Sequence, residues 1–250
     1  MIQLFSFISV FLGWLIQGFI GFGSGIVSTS LLVLIFDVKE VIVSLSITAL
    51  VGTILLAIST YKGKWYLKES IAILTLSFIG AFIGSVLLEY LNIIFVELIF
   101  GIVVLFTGIY DFLFQKGVIK QILIKNKTLF LIFTGVFGGI MSGLIGASGP
   151  IHVLYFNQVL KDKEHFKFVV SFIFSVLNIE RIIFYLHLEN LRGLFNLDII
   201  LWGIPATVLG MYIGHKLSLK LPVKVFKEVV SVAIILTGIV FILKSLGEIL

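Results

Sequence analysis

Eight apolar runs, separated by short polar stretches, make up most of the chain: roughly 2–36, 40–60, 70–90, 93–114, 129–160, 166–186, 197–217 and 223–244. Six have the length of one transmembrane helix. The other two, 35 and 32 residues, are too long. As a single helix, 35 residues would reach about 52 Å across a hydrocarbon core about 30 Å thick. Each long run must therefore fold back. A glycine cluster near its middle supplies the turn: GFIGFGSGIVSTSLLV from Gly18 in the first, GLIGASGPIHVLYF from Gly143 in the second.

The two halves repeat. Adding 125 takes Gly18 to Gly143, Gly21 to Gly146 and Asp37 to Asp162. Adding 130 takes Gly80 to Gly210, Gly84 to Gly214 and Thr107-Gly108-Ile109 to Thr237-Gly238-Ile239. This divides the chain into a first transmembrane repeat (1–114), a basic cytoplasmic linker (115–128) and a second transmembrane repeat (129–250). If each long run returns to its own side, the halves are inverted. Fourteen lysines then share one face against Lys39, Arg192 and Lys244 on the other, with Arg181 inside a span. If each long run crosses once, the halves are parallel and the split is nine to eight. The positive-inside rule selects the inverted arrangement. The expected fold is an all-α polytopic membrane protein of two inverted repeats. Each repeat is a Gly-broken helical hairpin followed by three transmembrane helices, and both termini face outward.

Composition agrees with a membrane solvent. The chain is 60% hydrophobic and 12% charged, with mean hydropathy +1.22, where a soluble domain carries about 25% charged residues. There is no cysteine, so disulfides and thiolate metal sites are excluded. No two histidines have ligand spacing on one helix, so no metal and no other cofactor is expected. The net charge of +5 belongs to loop lysines that set topology and implies no nucleic-acid partner. The opening MIQLFSFISVFLGW lacks a basic n-region and a clear cleavage site, and is expected to be retained.

The glycine breaks carry the candidate chemistry. Irregular backbone at membrane depth persists only where protein or a water-filled cavity satisfies it. Gly21, Gly23, Ser24 and Gly25 in the first break, and Gly146, Ser148, Gly149 and Pro150 in the second, are the expected substrate-binding tips. Ser148 is placed to cap a helix with Pro150 in its first turn, and Ser24 is placed similarly. Free N–H groups at helix starts favour an anion, and two inverted hairpins aim two such ends at one point. The plain alternative is that the glycines only let helices pack closely.

Polar residues inside the spans add to this. Ser171, Ser175 and Asn178 follow helical spacing, with Arg181 three residues beyond. A mid-span arginine is costly, so Asn178 and Arg181 join the candidate substrate site. The alternative for Arg181 is snorkelling to the interface, six residues away at His187. Glu180 points elsewhere on the helix, to pair with another element or to titrate in proton coupling. His152 either hydrogen-bonds substrate or fastens the second hairpin. Back-bonding to helix carbonyls accounts for most intramembrane hydroxyls such as Ser44, Ser46, Thr48 and Thr53. Trp14, Trp65 and Trp202 pack or anchor at interfaces.

In their order and spacing, GFIGFGSG and GLIGASGP, STYKGKWYLK after the third apolar leg, and the paired IGAFIGS and VLGMYIGHK resemble the TauE/SafE family of sulfite and organosulfur-anion exporters. The resemblance covers nearly the whole chain. Members often carry more glycines in the first motif and a proline in both; here Pro150 is present and the matching position is Gly25. The resemblance implies a multi-pass permease of the prokaryotic cytoplasmic (inner) membrane, not an enzyme. It would be a secondary transporter exporting a small inorganic or organosulfur anion, such as sulfite or an organosulfonate, by alternating access. Coupling to a proton or cation, and the oligomeric state, stay open. Two alternatives remain. GASG also resembles the nucleophile motif of rhomboid intramembrane serine proteases, with Ser148 as nucleophile and His215 as the tempting base. Against this, His215 lies beside Lys216 near the basic face, and the first half carries FGSG with no histidine. An anion channel is the nearer alternative in class.

Overall fold

In the computed structural model, residues 1–63, 67–119, 126–160 and 162–220 are described, together with 232, 235–236, 238–239, 241–243 and 245–247; for 67–69, 111, 115, 157–158 and 163 only the backbone is. Trp65, linker residues 120–125, Lys161 and most of the span expected over 223–244 lie outside the described residues. Among the described residues there are nine helices and no strand. They are α1 (Ile2–Ile20), α2 (Ser24–Leu32), α3 (Val38–Thr60), α4 (Leu67–Tyr90), α5 (Ile93–Gln115), α6 (Lys127–Ile145), α7 (Gly149–Val159), α8 (Lys163–His187) and α9 (Leu197–Lys220).

Local chemistry sets where the helices begin and end. Asp37, Asn92, Asn126 and Asp162 precede α3, α5, α6 and α8, and each side chain accepts a hydrogen bond from a first-turn N–H, at 2.7, 3.1, 3.1 and 2.8 Å. Such caps satisfy donors that the helix start leaves orphaned. The two over-long apolar runs each break at glycine. α1 stops at Gly21 (φ 101°) and α2 starts after Gly23 (φ 105°); α6 stops at Gly146 (φ 68°). These left-handed conformations are open to glycine at no steric cost. The breaks divide the runs unequally, with 19 residues before each and nine or 11 after. Seven helices, all but α2 and α7, are long and apolar enough to cross a membrane.

The most extensive helix contacts are α4 with α6 and α1 with α9. Both pairs run parallel, because residue numbers rise together along each contact. A Cβ added to Gly80, Gly84 or Gly143 would strike the carbonyl oxygen of Val136, Ile140 or Ala81. In the other pair, a Cβ on Gly210 would lie 2.5 Å from the Phe11 carbonyl oxygen, and one on Gly18 or Gly214 would strike that of Met211 or Leu15. Backbones approach this closely only where small residues line the contact.

Polar ties mark the two ends of the bundle. At one, Lys39 Nζ donates to the Glu89 carbonyl (3.2 Å), Asn190 N–H to Glu89 Oε1 (3.2 Å) and Asn196 Nδ2 to Glu40 Oε1 (2.8 Å). At the other, Lys167 Nζ donates to the Gly18 carbonyl (2.9 Å) and to Ser218 Oγ (2.7 Å). Lys167, one of the fourteen lysines that the sequence reading puts on one face, has a fully buried side chain. The cause is the break at Gly21. It leaves last-turn carbonyls of α1 without helix partners, and an ammonium there meets both the orphan oxygen and the negative end of the helix dipole.

Candidate functional site

The two breaks meet. A Cβ on Gly25 would lie 2.5 Å from the Gly146 carbonyl oxygen, and one on Gly149 would touch the Phe22 side chain at 3.2 Å. Around this contact lies a cleft with about 50 Å³ of space. At roughly 10–15 Å³ per water, that holds about four water-sized groups, the bulk of a small oxyanion. Residues from α1, α2, α3, α6, α7 and α8 line it, and no aspartate or glutamate is among them.

Arg181 supplies the positive charge. It is 4% exposed and hence does not snorkel to the lipid interface. Its guanidinium donates to Asn178 Oδ1 (2.9 Å), to the Tyr185 hydroxyl (3.2 Å) and to the Ile42 carbonyl of α3 (3.2 Å). The Tyr185 hydroxyl donates in turn to the Gly143 carbonyl (2.5 Å), tying α8 to α6. A guanidinium has five N–H donors; three are engaged, so two remain. Nη2 lies where a side chain on Gly146 would begin, 2.8 Å from that hypothetical Cβ. The missing side chain of Gly146 therefore makes room for the cation as well as permitting the turn.

The backbone adds donors. At the start of α2, the N–H groups of Gly25 and Ile26 have no acceptor among the described residues, and neither has that of Gly149 at the start of α7. They are the orphans that every helix start exposes, and they favour negative charge.

Neither serine caps its helix, contrary to the sequence reading. Ser148 stands at the N-cap of α7 with helical angles (φ −72°, ψ −16°) and makes no side-chain cap bond. Ser24 is already the first residue of α2, with Gly23 at the cap. Its N–H donates to Gln17 Oε1 (3.1 Å), and its hydroxyl donates to the same oxygen. The first break is thus satisfied from the preceding helix. Because the Ser24 N–H can only donate, the Gln17 oxygen is fixed toward it and the amide nitrogen turns away. That nitrogen has no partner among the described residues, and Gln17 lines the cleft.

Of the residues singled out from sequence, Gly23, Ser24, Gly25, Gly146, Ser148, Gly149, Pro150, Asn178 and Arg181 line this one cleft. Gly21 and His152 do not. Gly21 packs against Lys167 and Phe166. His152 is fully buried; its Nε2 lies 3.0 Å from Ser77 Oγ, and its ring covers Gly138. Sequence reasoning passed over Gln17, Thr29 and Ser142 as lining residues. The 125-residue offset pairs Gln17 with Ser142, so the repeat held a signal for both. His215, the tempting base for a serine nucleophile at Ser148, is not among the lining residues. No group of residues able to hold a metal occurs among the described residues.

Compared with known proteins, the chain matches over residues 6–241 a family model described as sulfite exporter TauE/SafE. No curated protein and no solved structure matches it significantly.

Proposed function

Because the chain belongs to the TauE/SafE sulfite exporter family and is an integral multi-pass membrane protein, we propose that it is a secondary transporter exporting a small sulfur oxyanion, sulfite or an organosulfonate, across a prokaryotic inner membrane. The anion binds between the two glycine breaks. The observation that carries this reading is Arg181, buried in a carboxylate-free cleft with two donors uncommitted. Helix-start N–H groups from both breaks and the Gln17 amide supplement it.

In this reading each break is the tip of a hairpin, and the two halves are inverted repeats. Two features support it. The +125 and +130 offsets relate α1 to α6 and α4 to α9. The same exchange relates the two parallel glycine contacts, since each joins a breaking helix to a spanning helix of the other half. Rocking of one half against the other across this contact would open the site to each side in turn, as in other inverted-repeat carriers.

The test is sulfite efflux from proteoliposomes, with binding measured on the same preparations. Arg181→Gln should weaken binding about 10- to 150-fold, the worth of one or more charge-assisted hydrogen bonds at about 1.5–3 kcal/mol. Arg181→Lys should retain part, as a point charge without the fork. Wild-type efflux in folded Arg181→Gln would remove the reading.

A further inference from the structure

Glu180 precedes Arg181 on α8 and is equally buried, at 4% exposed. Neither of its carboxylate oxygens has a hydrogen-bond partner among the described residues. Successive helix residues point about 100° apart. Arg181 turns to the cleft, and Glu180 turns to the flank where Phe184, one turn on, meets Phe78 and Phe82 of α4 edge-on.

The helices packed around α8 bring few charges to this depth. α3 has no ionisable side chain between Val41 and Thr60, α4 none between Ser70 and Leu88, and α6 none beyond Lys127. Lys39, Glu40, Glu89 and Lys127 stand at helix ends. α7 contributes His152, engaged with Ser77, and Tyr155. On α8 itself, Tyr185 and His187 lie toward one end, Lys163, Glu164, His165 and Lys167 stand in the first turns at the other, and Arg181 is the neighbouring charge.

We infer that Glu180 is a proton-binding site linked to occupation of the cleft, an inference that rests on the transporter reading above. In a low-dielectric interior an unbalanced charge is expensive. With the cleft empty, the charge of Arg181 favours the ionised form of Glu180. An entering anion adds a negative charge, and the carboxylate offsets it by taking one proton from water on the side to which the cleft is open. The same proton returns to water when the anion leaves. Linkage makes the effect reciprocal: protonation tightens anion binding by the factor by which the anion favours protonation. Anion and proton then cross together, so a monovalent anion moves without net charge. Glu180 touches no substrate and acts through charge alone.

The experiment is calorimetric titration of the purified full chain with sulfite in buffers of different ionisation enthalpy, which counts protons taken up per anion bound. Glu180→Gln mimics the protonated acid, and sulfite's own protonation contributes equally to both proteins. The wild type should take up more protons per sulfite than Glu180→Gln, by up to one, and Glu180→Gln still binds. Equal counts with binding intact would overturn the proton site and leave the transporter reading standing, as would loss of binding in a folded Glu180→Gln. Absence of sulfite binding by the wild type would overturn the transporter reading itself. If Glu180→Gln does not fold, wild-type proteoliposomes loaded with sulfite decide. Efflux should carry out protons beyond those that sulfite's own protonation accounts for, read with a trapped pH dye, and sulfite efflux with no shift beyond that amount would overturn the site.

Discussion

Gly25→Ala adds one methyl group at the point where the two breaks touch. Its Cβ would sit 2.5 Å from the Gly146 carbonyl oxygen, where ordinary contact begins at 3.4 Å. The breaks must therefore separate by roughly 0.9 Å, and no flexible side chain can absorb the movement because the atom struck is backbone. Overpacking of this kind costs about 1–3 kcal/mol. The functional loss follows from geometry. Arg181 abuts Gly146, one partner of this contact, and the free N–H belongs to Gly25, the other partner. An anion held between them loses reach to one when they part. At about 1.5–3 kcal/mol for a charge-assisted hydrogen bond, binding weakens roughly 10- to 150-fold. Gly149→Ala is the control. Its Cβ would meet the Phe22 Cβ at 3.2 Å and the ring at 3.3 Å, an overlap of a few tenths of an ångström and much milder than at Gly25, so affinity should change less than in Gly25→Ala. Calorimetric affinity for sulfite, with thermal unfolding run in parallel, reads both effects. Unchanged affinity in Gly25→Ala, or equal losses in the two variants, would refute the cleft as the anion site.

Two further predictions concern the bundle. Lys167→Met should lower stability by about 1–3 kcal/mol, read as a lower unfolding midpoint, because it leaves the buried Gly18 carbonyl without its donor; an unshifted midpoint would show that the ammonium is dispensable. Single cysteines introduced into the cysteine-free chain at the exposed positions 117–118 and 219–220 should react with an impermeant thiol reagent from the cytoplasmic side, and those at 92, 189–190 and 192–193 from outside; opposite labelling of 117–118 and 219–220 would sink the inverted topology.

Much of this was legible in the residue order. Runs longer than a membrane is thick had to break, and glycine marked where. Arg181 stood out because an arginine in mid-span is costly wherever it points. What escaped notice depended on direction and partnership, which spacing does not encode. His152 is one turn from Ser148, yet its ring faces Gly138 and Ser77. Ser24 looked like a cap because its type and place suited one; its partner, Gln17, sits seven residues back on another helix. Lys167 was counted only for the face it shares, because a charge tally cannot see an orphan carbonyl reaching in from α1.

The glycine-lined pairing of α1 with α9 also bears on how the chain is made. Ile20 and Leu197 are separated by about 180 residues of synthesis, which at roughly 5–20 residues per second takes about 10–40 s. During that interval α1 waits in the bilayer with its close-packing surface facing lipid or the insertion machinery. α4 waits less, because α6 follows it within the next stretch of chain. Neither half holds its own principal partner, so a ribosome that stops after the first half releases an open clasp rather than a finished unit. Two halves made as separate polypeptides should, for the same reason, find each other in the membrane and rebuild the whole.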